Sequence, residues 1–261
     1  PMEFQKFIKI GLFYTVTKYV VIGLNTIRSL LIAFILGPEK LGLYGFVILL
    51  LEYLNYSNLG VFYSLNKEVA LNLGNEAKNE YINKNINTAL TFQIYNSLLI
   101  SFIVLIFYFT KIDFVGSDYL PYIAVLGFIY SIKTFLFIYF RLFEKFIKII
   151  KIEFFTSLFA LILILFLVQR FEIHGILFAS VLGNIIFVFP YLFSIKSLKI
   201  NIDFRILKNL IIVGVPLLIF NLFVLAITSI DRFIIGYLNL SSLAALGYYH
   251  FGYLLSFGVF T

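Results

Sequence analysis

Hydropathy alternates along this chain between long apolar runs and short connections rich in lysine. A run of about 20 apolar residues is long enough to cross a hydrocarbon core of roughly 30 Å as a helix. Such runs predict helices near 11–36, 41–66, 86–109, 120–141, 154–169, 175–194, 210–238 and 243–261. Ten-residue segments of strict alternation, the mark of a membrane β-barrel, do not occur. The expected fold class is therefore all-α, a polytopic bundle of transmembrane helices. The eighth run ends at Thr261 without a flanking charge or loop.

Composition sharpens this reading. Of 261 residues, 62% are hydrophobic and only 13% charged, with a mean hydropathy of +1.02; a soluble domain carries about 25% charged residues. The chain has no cysteine, which excludes disulfides, iron–sulfur clusters and thiol chemistry. His174 and His250 are the two histidines and lie too far apart to form a metal-ligand spacing, so no metal and no other cofactor is expected. Lys6 and Lys9 precede the first apolar run. That run is too long for a signal peptide and lacks a small-residue cleavage site, so it reads as a retained span.

The cations are distributed unevenly. The N-terminal tail and the connections 67–85, 141–153 and 195–209 hold thirteen Lys and Arg, whereas the alternate connections hold only Lys40, Lys111 and Arg170. This asymmetry orients the protein with its N-terminus and basic connections on the cytoplasmic side. The formal net charge of +7 is mostly that orientation signal. No nucleic-acid partner is expected, because the cations flank membrane spans and no soluble domain exists to carry a binding face.

Four cations remain inside spans: Lys18, Arg28, Lys133 and Arg232, together with the acids Glu52 and Asp231. A charge at mid-membrane costs roughly 2.5–3.5 kcal/mol on insertion scales, and such residues usually face a bundle interior or a water-filled cavity. On the first helix Thr15, Lys18, Asn25, Arg28 and Ser29 fall on one stripe; on the second, Gly45, Glu52, Asn55, Tyr56, Tyr63 and Asn66 do the same. Arg28 and Glu52 both lie roughly 13–17 Å below the outer surface, where they could face each other across a cavity or form a structural ion pair. Lys18, near the cytoplasmic end, has two readings: snorkelling to the surface or a place on the cavity wall. Lys133 is too deep to snorkel comfortably and is assigned to the cavity. The intramembrane asparagines and tyrosines, Asn25, Asn55 and Tyr56 among them, suit helix–helix hydrogen bonds as well as ligand contacts.

The chain also repeats itself. "LGLYGF" (41–46) aligns with "LGYYHF" (246–251) at an offset of 205 residues, and Arg28 corresponds to Arg232 within one residue of that offset. Six spans separate the copies, so both cross the membrane in the same direction. A parallel repeat predicts two six-helix lobes related by an axis along the membrane normal, with a midplane cavity between them. The expected division is a first lobe over 1–194, a cytoplasmic linker over 195–209 lying on the membrane surface, and the start of a second lobe over 210–261. On this reading the chain is the front part of a longer protein, truncated in its eighth span.

"LGPEKLGLYGFVILL" (36–50), "NLGVFYSLNKEVA" (58–70) and "VGVPLLIFNLFVLAITSIDRFIIGYLNLSSLAALGYY" (213–249) together resemble the polysaccharide or O-antigen flippases. These belong to the multidrug/oligosaccharidyl-lipid/polysaccharide exporter superfamily. The resemblance covers the whole chain. It implies a protein of the bacterial inner membrane that moves an undecaprenyl-pyrophosphate-linked oligosaccharide from the inner to the outer leaflet by alternating access. Further partners on this reading are a polysaccharide polymerase and glycosyltransferases. It also implies cavity cations that hold the pyrophosphate; Arg28 matches that role, and Lys18, Lys133 and Arg232 match it more loosely.

The residues support an anionic ligand independently. The six intramembrane charges sum to a positive excess, and arginine's planar fork donates to phosphate in pairs. Glu52 or Asp231 is the candidate for coupling to a cation or proton. A multidrug/cation antiporter of the same fold is the alternative, disfavoured because a cationic drug wants an acidic cavity. A membrane enzyme modifying glycans or lipids is the third reading. No Asp-x-Asp and no acid/base pair with a shared site supports it, so the chain is expected not to be an enzyme.

Overall fold

A computed structural model describes residues 2–112, 114–195, 197–238 and 243–257. Residues 258–261, the end of the eighth predicted span, lie outside it. Among the described residues the chain is helical without strands: α1 Met2–Asn55, α2 Val61–Asn72, α3 Asn79–Phe109, α4 Leu120–Leu142, α5 Phe146–Phe193, α6 Phe204–Leu238 and α7 Leu243–Phe257. Five of these helices are long and apolar enough to cross a membrane. The protein is an all-α, multi-pass membrane bundle.

Two helices each carry two arms. In α1 the break is Gly37, with φ 69° and ψ 175°, followed by Pro38. Glycine takes a positive φ at no steric cost, and proline starts a helix well because its missing N–H would be unsatisfied there anyway. The first predicted span and the beginning of the second are these two arms. In α5 the break is Glu172, at φ 51° and ψ −127°. No glycine or proline marks this site, and a non-glycine residue there stores strain.

The second predicted span, 41–66, is not one helix. α1 stops at Asn55, a 3₁₀ turn follows over Tyr56–Asn58, and Leu59 and Gly60 are both left-handed before α2 begins. Asn58 explains the stop. Its amide donates to the Asn55 carbonyl at 2.9 Å, and its Oδ1 accepts from the Gly60 N–H at 2.9 Å, giving the backbone partners that compete with the helical ladder. Gly60 also lies backbone to backbone against Gly214 of α6, where a Cβ on either would clash.

The helices pack as two compact units. One comprises Pro1–Phe46, Glu144–Phe187 and Arg232–Thr261, the other Val47–Phe143 and Val188–Asp231. In the first, Ile32 of α1 and Ile152, Ile164 and Ile176 of α5 are buried. In the second, Leu65, Phe135, Phe140 and Leu210 form the centre, and Phe62 meets Phe135 at 6.4 Å. Large apolar side chains such as Phe34, Phe109 and Ile227 point outward, as expected where lipid is the solvent.

The connection before α6 is extended and anchored rather than loose. The N–H groups of Lys199, Asn201 and Asp203 donate to Asn87 Oδ1, Thr91 Oγ1 and Thr88 Oγ1 of α3 at 2.9, 3.0 and 3.2 Å. Asp203 then caps α6, its Oδ1 accepting from the N–H of Arg205 and Ile206.

Candidate functional site

The repeated motif is where the site is built. In the first unit its two copies, one on the second arm of α1 and one on α7, pack against each other. Gly42 lies against the Leu243 carbonyl and the Gly247 backbone, and Gly247 against the Pro38 carbonyl. The ring of His250 occupies the space a side chain at Gly45 would need. Gly42 with Gly247 and Gly45 with His250 both preserve the 205-residue offset read from the sequence. Residues that meet their own repeat equivalents are what an axis running between the copies produces.

Around this contact runs a series of neighbours. Arg28, on the first arm of α1, is half-buried, and its Nε is buried without a hydrogen-bond partner. Its charge reaches the phenol of Tyr44, whose ring stands edge-on to His250 with centroids 6.4 Å apart. His250 is 3% exposed, and its Nδ1 is likewise buried without a hydrogen-bond partner. The field at His250 comes from Arg232 of α6, which is 2% exposed and holds its guanidinium carbon 4.4 Å from the centroid of the Tyr253 ring. That stacking gives the buried cation an aromatic face in place of water. Beside these residues, a cavity of about 600 Å³ is lined by Ile27, Leu31, Phe34, Pro38, Tyr248 and Phe251. Its walls are almost wholly apolar, and they come from the same two helices that carry Arg28 and His250.

The other expected site residues are placed as follows. Lys18 belongs to the same unit as Arg28 and Arg232, but it is spoken for: its Nζ meets Glu153 Oε1 of α5 at 2.6 Å. Glu153 was legible only as the last residue of a connection; here it sits within a helix, with Oε2 buried and unpartnered. Asn25 is half-buried on α1. The remaining residues fall in the second unit. Lys133 of α4 lies between two of its own helix's rings, 6.0 Å from the centroid of Tyr130 and 5.6 Å from that of Phe137. Glu52 is half-buried and its charge reaches Tyr56. Asn55 is exposed at the end of α1, and Asp231 is half-buried next to Arg232 in sequence. The structure thus gathers Arg28 and Arg232 into one unit and leaves Lys133, Glu52, Asn55, Tyr56 and Asp231 in the other.

Three residues of this neighbourhood were not singled out by the sequence: Tyr44, His250 and Tyr253. The signal for the first two was present, since both lie inside the repeated hexamer. With 18 tyrosines and 33 phenylalanines in the chain, no single aromatic stands out, and Tyr253 has no mark of its own.

Chemically, the arrangement offers nitrogen donors and a phenol at mid-helix, next to an apolar cavity. Among the described residues no group of three His, Cys, Asp or Glu could hold a metal ion. Paired guanidinium donors favour an anion with several oxygens, phosphate above all.

Comparison with known proteins agrees with this setting. The sequence profile of the family described as polysaccharide biosynthesis protein matches residues 75–261. Neither a curated protein nor a solved structure matches the chain. The profile spans α3 to α7 and takes in Arg232, His250 and the second copy of the repeated motif, and on that match this chain belongs to the polysaccharide biosynthesis protein family.

Proposed function

We propose that the protein moves a lipid-linked oligosaccharide across the bacterial inner membrane by alternating access, with the cytoplasmic N-terminus that the lysine asymmetry favours. Arg28 and Arg232 hold the pyrophosphate that joins lipid to sugar. The observation that carries this reading is the open Nε–H of Arg28: a buried donor, in an apolar helix, with no acceptor from the protein. An unmade hydrogen bond at a buried charged group is costly, and a phosphate oxygen would satisfy it. Polar side chains along the first two spans would contact sugars, while the lipid chain stays among apolar side chains. No step of this process makes or breaks a covalent bond, so the protein acts as a transporter rather than an enzyme. Its working partners would be the glycosyltransferases that supply the lipid-linked unit and the polymerase that consumes it.

The test is Arg28→Ala introduced into the native gene. Surface polysaccharide should fall by at least about tenfold and the lipid-linked precursor should accumulate on the inner leaflet, with the protein's level and insertion unchanged. Arg28→Lys should restore only part of the activity, because an ammonium is a point charge without the planar fork. Normal export by Arg28→Ala would remove the clamp.

A further inference from the structure

We propose that His250 is a third ligand for the anionic head group and takes up one proton when that group binds. This rests on the pyrophosphate reading above and adds to it a coupling that the arginines alone do not supply.

The geometry around the ring is specific. His250 is 3% exposed, and its Nδ1 is buried without a hydrogen-bond partner from the protein. Buried polar atoms are satisfied in the great majority of cases, and an exception calls for a reason. The ring is not there for want of another place: the chain leaves out a side chain at Gly45 to admit it, and Tyr44 fixes it from the edge. The ionisable groups set against it are Tyr44 from the second arm of α1 and Arg232 from α6. Tyr253, on the ring's own helix, packs on Arg232, and Arg28 lies beyond Tyr44.

Consider the charge on that ring. Beside a buried guanidinium, a second positive charge is repelled, and little solvent is present to screen it. A phosphate arriving between the two reverses the sign of the local field, and an imidazolium then gains both an ion pair and a charge-assisted hydrogen bond. Histidine is the side chain whose proton affinity is close enough to neutrality for such a reversal to switch it. Arg28 and Arg232 keep their charge throughout, so they bind the head group but cannot report its presence. His250 can. Loading the site would then be linked to uptake of a proton, and emptying it to release.

The experiment is calorimetric titration of the whole chain in lipid nanodiscs, in two buffers of different ionisation enthalpy at one neutral pH. The probes are inorganic pyrophosphate and a short prenyl pyrophosphate. Wild type should show a buffer-dependent enthalpy equivalent to about one proton. His250→Gln, close in size and unable to take the charge, should bind about tenfold more weakly with no buffer dependence; His250→Phe should match it. Because His174 is the other histidine, ring-nitrogen NMR on histidine-labelled protein reads the same event directly: one signal should move to the protonated position on adding pyrophosphate and be missing in His250→Gln. Tighter binding of the prenyl form assigns the head group to a lipid, and equal affinity assigns it to free pyrophosphate. Buffer-independent binding by wild type, or proton uptake that survives in His250→Gln, overturns the role of His250 while leaving the clamp standing. If neither probe binds wild type, the pyrophosphate reading fails and this inference with it.

Discussion

Lys18 and Glu153 show how burial decides what an ion pair is worth. The ammonium is 37% exposed and the carboxylate 14% exposed, so the two partners would not suffer equally if separated. Lys18 has a long apolar stem and can reach for water once freed. Glu153 cannot, because its Oε2 is already buried without a partner. Lys18→Met should therefore destabilise the protein by about 1–3 kcal/mol, and Glu153→Leu by less, measured as loss of folded protein on heating in detergent. The double variant should recover most of the loss, because an apolar pair of similar volume often replaces a buried ion pair without penalty. Additive losses would mean that the two side chains stabilise the fold independently. Export should suffer less from Lys18→Ala than from Arg28→Ala, since Lys18 already has a protein partner. From the sequence, the charge of Lys18 inside a span was plain, but its partner was not: Glu153 lies 135 positions away and at the edge of an apolar run. Periodicity reports which face a residue occupies, never which helix comes to meet that face.

At the level of elements, what periodicity could and could not show follows the chemistry of the helix ends. The apolar runs gave the spans because each must satisfy its backbone inside lipid, and Gly37-Pro38 marked the first turn by residue type alone. The stop at Asn55 was hidden, because the polar residues Asn55 to Asn58 read equally well as part of a polar stripe on one continuing helix. The break at Glu172 falls within the expected connection 170–174, where Arg170, Glu172 and His174 interrupt the apolar run; only its form was hidden, for no residue there prefers a positive φ. Most informative is the repeat. Its offset was legible, but its meaning as a contact was not, since two similar hexamers need not touch. They touch through glycines: no side chain fits between Gly247 and the Pro38 carbonyl, or between Gly42 and Leu243. Gly247→Val should thus push apart the second arm of α1 and α7 at a cost of about 1–3 kcal/mol from overpacking. The check is a lower thermal midpoint together with loss of pyrophosphate binding, because the same displacement moves His250 away from Tyr44. Gly252, which has open space where a Cβ would go, is the control, and Gly252→Ala should leave both unchanged. An undisturbed midpoint in Gly247→Val would show that the close approach does not hold the two copies together.

At the scale of the whole molecule, the question is which way the bundle faces, since a clamp for a lipid-linked anion works only if it can be loaded from the side where the sugar is assembled. Thirteen cations flank one set of connections and three the other, and each positive residue retained on the cytoplasmic side adds to the bias. The absence of cysteine makes the orientation directly measurable, because any cysteine introduced is the only thiol in the chain. Glu39, Ala77, Asp118 and Ser197 are exposed and fall in the connections expected from the sequence, and none is a cation whose loss would disturb the bias. In intact cells a membrane-impermeant maleimide should label Glu39→Cys and Asp118→Cys. It should reach Ala77→Cys and Ser197→Cys only after the membrane is opened. This alternation also tests the reading of α1 as two spans: if Gly37 were a bend within a single crossing, Glu39→Cys would not be labelled from outside. Labelling of Ala77→Cys and Ser197→Cys in intact cells would invert the molecule. The arginines would then be loaded from the wrong leaflet, and inward-to-outward transport of a lipid-linked oligosaccharide would have to be abandoned whatever the arginine variants do.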